Sequence, residues 1–220
     1  MLERLDRDFL TQAGCWFAGG TRIVLALGEY RESVDIDFLC ADVAGYRAIR
    51  SAVTPSSFGP LFARPPELMR EIRADRYGVR TWLRVDGRPL KLEIVSEGRV
   101  PLDGVRDETF PIDVLDRRSC FVEKFLANSD RGRDAATEAR DLVDLAFMID
   151  GWPDVDVPQA MAVAESIYGT SIRRDLAFAL DRFTETDARR RHLAALAITD
   201  EGRLDAGLAR LKSLLGEPND

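Results

Sequence analysis

Asp35 and Asp37 stand two apart in the run Arg31-Glu32-Ser33-Val34-Asp35-Ile36-Asp37-Phe38. On a strand, alternate side chains share a face, so the two carboxylates project together while Ile36 and Phe38 turn into a core. Such neighbours repel unless a cation sits between them, and hard carboxylate oxygens beside phosphate oxygens suit Mg²⁺. Upstream, Phe17-Ala18-Gly19-Gly20-Thr21 places two glycines before a short apolar helix expected over 21–27. Gly19 and Gly20 let a phosphate approach the main-chain N–H groups of that helix start, and Thr21 can add its hydroxyl. Between the two runs, Arg31 and Ser33 are further phosphate donors. The other reading pairs Arg31 with Asp35 and uses Ser33 to fix the strand. A Gly-Gly pair alone is a turn, and an Asp-x-Asp alone is a solvated strand face. In this order and at this spacing they read as a site for a metal-bound nucleoside triphosphate.

The elements that must position these residues can be read from periodicity. Leu2, Leu5, Phe9 and Leu10 have helical spacing, Cys15 to Ala18 reads as a buried strand, and 41–53 reads as a helix. Pro55-Ser56-Ser57-Phe58-Gly59-Pro60 is a breaker-rich loop. A hairpin follows: Val79, Thr81, Leu83 and Val85 alternate, Asp86-Gly87 turns the chain, and Leu90, Leu92 and Ile94 alternate on the partner. If that partner neighbours the Asp strand in one sheet, Lys91 and Glu93 share the face of Asp35 and Asp37. Glu93 is then either a third carboxylate or an exposed strand residue.

From Val114 onward the pattern is helical, with helices expected over 116–128, 137–149, 158–168, 171–183, 187–197 and 201–215. The chain therefore divides into a mixed α/β half, 1–113, and a helical half, 114–220, and the cleft between them is the expected ligand site. Lys124 lies on an otherwise apolar helix, and Arg140-Asp141-Leu142-Val143-Asp144-Leu145 puts two acids on one helical face. These residues form either part of the site or an ion-pair network of Lys124, Arg140, Asp141 and Asp144. Leu204, Leu208, Leu211 and Leu215 form a stripe best explained by packing within the helical half.

The glycine pair, the short helix and Arg-x-Ser-x-Asp-x-Asp-Phe together resemble the signature of the polymerase-β-like nucleotidyltransferase superfamily. Lys124 followed by Arg140-Asp141-x-x-Asp144-Leu145 is similar to an element of its AbiEii/MenT-type branch, the toxins of toxin–antitoxin pairs. The resemblance implies an α/β (α+β) fold, a nucleotidyltransferase-type mixed sheet flanked by helices and followed by an all-helical C-terminal bundle. It implies catalysis with Mg²⁺, two ions in number, held by Asp35, Asp37 and Glu93. The family usually has aspartate at the Glu93 position. It further implies that Lys124 binds phosphate, that Asp141 helps to build the site, and that Asp144 and Arg140 assist. The substrate would be an NTP, the acceptor a tRNA 3′ end or other RNA whose modification blocks translation, and the partner a cognate antitoxin protein.

Composition narrows the class. A 45% apolar content supports a buried core, and a formal net charge of −7 argues against a nonspecific nucleic-acid coat. A local basic track is still open to it, with Arg117-Arg118, Arg131 with Arg133, and Arg189-Arg190-Arg191 as candidates; the alternative for each is a solvated helix face. Cys15, Cys40 and Cys120 are odd in number and form no Cys-x-x-Cys pair, which suits a reducing cytoplasm. No run approaches a membrane span, and His192, the sole histidine, cannot build a histidine metal cluster. P-loop, dinucleotide and zincin motifs are absent. Two rival readings remain: an aminoglycoside or lincosamide adenylyltransferase, and a catalytically silent nucleotidyltransferase-like binding module.

Overall fold

Strict alternation of buried and half-buried residues builds the sheet. In β2 (Asp35–Cys40), Ile36, Phe38 and Cys40 are buried while Asp35, Asp37 and Leu39 are not. The same two-residue period runs through β5 (Gly78–Val85) and β6 (Arg88–Ser96). Their turn takes Asp86 and Gly87 through positive φ, at +50° and +80°, as a two-residue hairpin requires. The computed structural model describes residues 1–134, 137 and 139–216. The chain forms two units, Met1–Arg22 with Ser33–Asp116, and Ile23–Glu32 with Arg117–Asp220.

The first unit carries an eight-stranded mixed sheet. Besides β2, β5 and β6 it contains β1 (Cys15–Ala18), β3 (Glu67–Leu68), β4 (Arg73–Ala74), β7 (Gly104–Val105) and β8 (Val114–Leu115). The order is β3-β5-β6-β2-β1-β8-β7, with β4 also paired to β5. β2 runs parallel to β6 and antiparallel to β1. Helix α1 (Arg7–Gln12) is capped by Asp6, whose carboxylate accepts from the N–H of Phe9 at 2.9 Å. Helix α3 (Val43–Ala52) is capped by Asp42 in the same way, through Ala44 and Gly45. Phe17 anchors the core with ring centroids 5.8 Å from Phe38 and 5.7 Å from Phe110. The expected loop at 55–60 includes a short bridge between Thr54 and Ser57 and runs into a 3₁₀ turn, Gly59–Leu61.

The second unit is helical: α4 (Arg117–Arg131), α5 (Arg140–Gly151), α6 (Val157–Tyr168), α7 (Ser171–Thr184), α8 (Thr186–Ala195) and α9 (Glu201–Leu214). Position 138 of the helix expected over 137–149 and positions 217–220 of the helical half lie outside the described residues. Segment Ile23–Glu32 belongs to this unit although the sequence pattern reads it with the first half. The leucine stripe is used for packing: Leu204 and Leu211 are wholly buried, and Gly207 between them lies against the backbone of Ala146 in α5. His192 is core filler, its ring stacked on Phe183 at 5.8 Å between centroids. Among the described residues no helix is long and apolar enough to cross a membrane.

Candidate active site

Helix α2 (Gly19–Ala26) starts two residues earlier than the sequence suggests, because the glycines form its first turn rather than a separate loop. Ala18 pairs with Asp37 across β1 and β2, so the chain enters α2 directly beside that carboxylate. Gly19 has φ +71°, a region that favours glycine. A Cβ there would lie 2.7 Å from the Cβ of Asp37 and 2.9 Å from its Cγ. Asp37 therefore occupies the space that Gly19 leaves open, and the N–H groups opening α2 lie beside it.

Thr21 ties the helix to the Asp strand. Its hydroxyl donates to the main-chain oxygen of Asp35, and the Ser33 hydroxyl lies 2.7 Å from the Thr21 oxygen. The buried Thr21 hydroxyl hydrogen thus satisfies a main-chain acceptor. The Thr21 contact ties Ser33, just before β2, to the start of α2. For Arg31, the expected pairing with Asp35 is corrected. Its guanidinium is buried in the second unit and donates to both carboxylate oxygens of Asp144, at 2.7 and 2.9 Å, and to the main-chain oxygen of Glu32. Asp144 rather than Asp35 is its carboxylate partner, since a buried guanidinium takes the bidentate carboxylate that packing supplies.

The register of β2 and β6 brings Lys91 opposite Asp35 and Glu93 opposite Asp37, on one face. β5 extends the rows, with Trp82 opposite Lys91 and Arg80 opposite Glu93. The Glu93 carboxylate is held by Lys91 at 2.7 Å and Arg80 at 2.6 Å. Burial favours its neutral form, but these two cations outweigh it and hold the Glu93 pKa below the usual carboxylate range. Burial disfavours the charged form of Lys91 too, and its bond to Glu93 reverses that, so its pKa is raised. Among the described residues no three His, Cys, Asp or Glu side chains come together as a metal-ligand set. Glu93 stands beside the aspartates on one sheet face as the partner of two cations.

In the second unit, Lys124 is 5% exposed, with its ammonium 2.8 Å from Asp141 and 2.6 Å from Asp144. Arg131 donates twice to Asp141, and Tyr30 donates to Asp144 at 2.6 Å while its ring stacks on Phe147. Burial alone would raise the pKa of both aspartates; the Lys124 charge and the arginine bonds lower them instead. Burial likewise opposes the charge on Lys124, and the two carboxylates raise its pKa. These contacts form an ion-pair network that includes Arg31 and Arg131, while Arg140 donates to the main-chain oxygen of Thr137. Tyr30 carries no sequence signal for this role, because only the fold brings it to α5.

The model of the nucleotidyl transferase AbiEii toxin family, of a type IV toxin–antitoxin system, matches residues 2–211. The chain belongs to that family. An AbiEii-family chain is a nucleotidyltransferase, and its toxin class carries with it an NTP substrate and an antitoxin. No curated protein sequence matches it. Two solved structures share the fold. One is a protein described as a candidate nucleotidyltransferase from H. pylori, at TM-score 0.52 and 19% identity, covering 95% of this chain and 89% of that one. The other is JHP933 from Helicobacter pylori, at TM-score 0.50 and 18% identity, covering 95% and 85%. The MenT4 nucleotidyltransferase toxin from Mycobacterium tuberculosis aligns over 96% of this chain and 89% of its own at TM-score 0.38 and 15% identity, too distant to add an argument.

Proposed function

We propose that this AbiEii-family protein transfers a nucleoside monophosphate from an NTP to the 3′ hydroxyl of an RNA, with tRNA as the acceptor, through a site centred on Asp35 and Asp37. The observation that carries the reading is that two half-buried carboxylates share one strand face, with Asp37 set against Gly19 at the start of α2. Two carboxylates fit Mg²⁺, which is commonly held by one or two acids together with waters and substrate phosphates. When bound there, the ion supplies charge neutralisation at the phosphates and a lowered pKa for the attacking hydroxyl. A second ion would call on Glu93, which would have to exchange Lys91 and Arg80 for it.

The chain's own residues bind and orient. The main-chain N–H groups of Gly20 and Thr21 offer donors to phosphate oxygens at the helix start. Lys91 and Arg80 hold positive charge beside the aspartates, so the developing negative charge on the departing group meets fixed cations. The acceptor oxygen bonds to the α-phosphorus, the bond to the β-phosphate oxygen breaks, pyrophosphate leaves, and the hydroxyl proton passes to solvent. Thr21 and Ser33 keep β2 in place during this exchange. Lys124, Asp141 and Asp144 are positioning residues that hold α4 to α5.

The test incubates the protein with each labelled NTP, Mg²⁺ and total RNA beside an Asp37→Ala variant. Label on small RNA that the substitution abolishes supports the proposal. Label on an antibiotic alone, or equal labelling by the variant, overturns it.

A further inference from the structure

The basic tracks that the sequence offers are largely spent on carboxylates. Arg117 pairs with Asp154, Arg131 with Asp141, Arg133 with Asp175, and Arg189 with Glu201 and Asp205. The first unit contains a different set of cations. Residues 67–93 hold seven Lys and Arg against five acids, in a chain whose net charge is −7, so the rest of the chain is more acidic still.

Sheet register arranges this segment. Asp37, Glu93, Arg80 and Arg73 lie in one row across β2, β6, β5 and β4, and Asp35, Lys91 and Trp82 lie in the next. Register partners share a face, so Trp82 and Arg73 are on the face that carries the two aspartates. At the usual strand spacing, Trp82 is about 10 Å and Arg73 about 14 Å along the sheet from them. Trp82 is half-exposed, and the Arg70 guanidinium lies over its ring, 5.7 Å from the centroid. Glu93 and Asp75 engage Arg80, and Glu67 engages Arg84. Arg70 and Arg73 are exposed, and among the described residues no carboxylate forms an ion pair with either.

An aromatic face flanked by unneutralised cations is the combination that single-stranded nucleic acid uses, bases stacking on the ring and phosphates meeting the charges. We propose that Trp82, Arg70 and Arg73 form a platform for the single-stranded 3′ end of the acceptor RNA, leading it along the sheet toward Asp35 and Asp37. This rests on the RNA-acceptor reading above and gives it a location.

The test uses the full chain and a fluorescein-labelled single-stranded RNA dodecamer with a free 3′ hydroxyl. Trp82→Ala should weaken binding about tenfold, and Trp82→Phe should restore most of it. Charge reversal in Arg73→Glu, at an exposed site that leaves the core untouched, should weaken binding as well. The Arg70→Ala/Arg73→Ala double variant should flatten the salt dependence by about 0.7 per lost contact. Calorimetric binding of NTP with Mg²⁺ should be unchanged in all of them. RNA affinity within twofold of the parent for Trp82→Ala and Arg73→Glu overturns the platform even if the parent transfers nucleotide. So does a parent that binds no RNA, or variants that lose only an acidic protein partner. A parent that binds RNA through Trp82 yet transfers no label leaves the platform standing and removes the transferase reading.

Discussion

Asp37 and Gly19 constrain one another: the carboxylate lies where a side chain on Gly19 would have to go. Gly19→Ala meets both an unfavourable φ, at about 1–2 kcal/mol, and a displaced Asp37. We therefore expect a loss of nucleotidyl transfer of at least about a hundredfold with a small fall in melting temperature; retained activity would separate Asp37 from the reaction. The buried cluster makes a different kind of prediction. Asp144 is fully buried between Lys124, Arg31 and Tyr30, so Asp144→Asn leaves cations uncompensated and should destabilise the helical unit by about 3–5 kcal/mol. Urea unfolding followed by circular dichroism measures this, and a change under 1 kcal/mol would refute the network's structural role. The pH dependence has two limits. Asp141 and Asp144 have pKa values depressed in the folded chain, so the unfolded chain binds more protons near pH 4 and stability falls as the pH drops below that. Lys124 has a raised pKa, so its contribution is complete below about pH 10 and is lost as the pH climbs through the folded value. Unfolding midpoints across pH 2–11 should show that plateau.

Helix α9 rests on α5 through Gly207, where a Cβ would come within 2.6 Å of the Ala146 carbonyl carbon and closer still to its oxygen. Alanine there gains helix propensity of about 1 kcal/mol but must push two backbones apart, so Gly207→Ala should be net destabilising by about 1–3 kcal/mol. A rise in melting temperature would show that the helices separate freely. Elements with a strong period were legible in the sequence: β2, the Asp86-Gly87 hairpin and the late helices all follow from alternation, turn residues or helical spacing. The two-residue strands β3, β4, β7 and β8 were not, because two residues carry no period and their pairing is set by neighbours. The start of α2 at Gly19 was not legible for a related reason, since glycines signal a turn locally while tertiary packing makes them helical. The face shared by Asp37 and Glu93 was legible by parity, yet the partners of Glu93 were not, because Arg80 arrives from another strand. The pairing of Arg31 with Asp144 was not legible, because no sequence signal links it to a residue so far along the chain.

For the molecule as a whole, an acidic chain that handles phosphates must concentrate its positive charge. Residues 67–93, with seven Lys and Arg against five acids, do this, while most arginines of the helical unit are neutralised within it. The chain belongs to the AbiEii family, and the sheet sets Asp35 and Asp37 on one strand face. The most direct measurement is calorimetric titration of the intact protein with each NTP in the presence of Mg²⁺, repeated for Asp37→Ala and without the metal. The account predicts saturable, metal-dependent binding of at least one NTP that Asp37→Ala weakens at least tenfold. Binding that is indifferent to both the metal and the substitution, or no binding of any NTP, would contradict it.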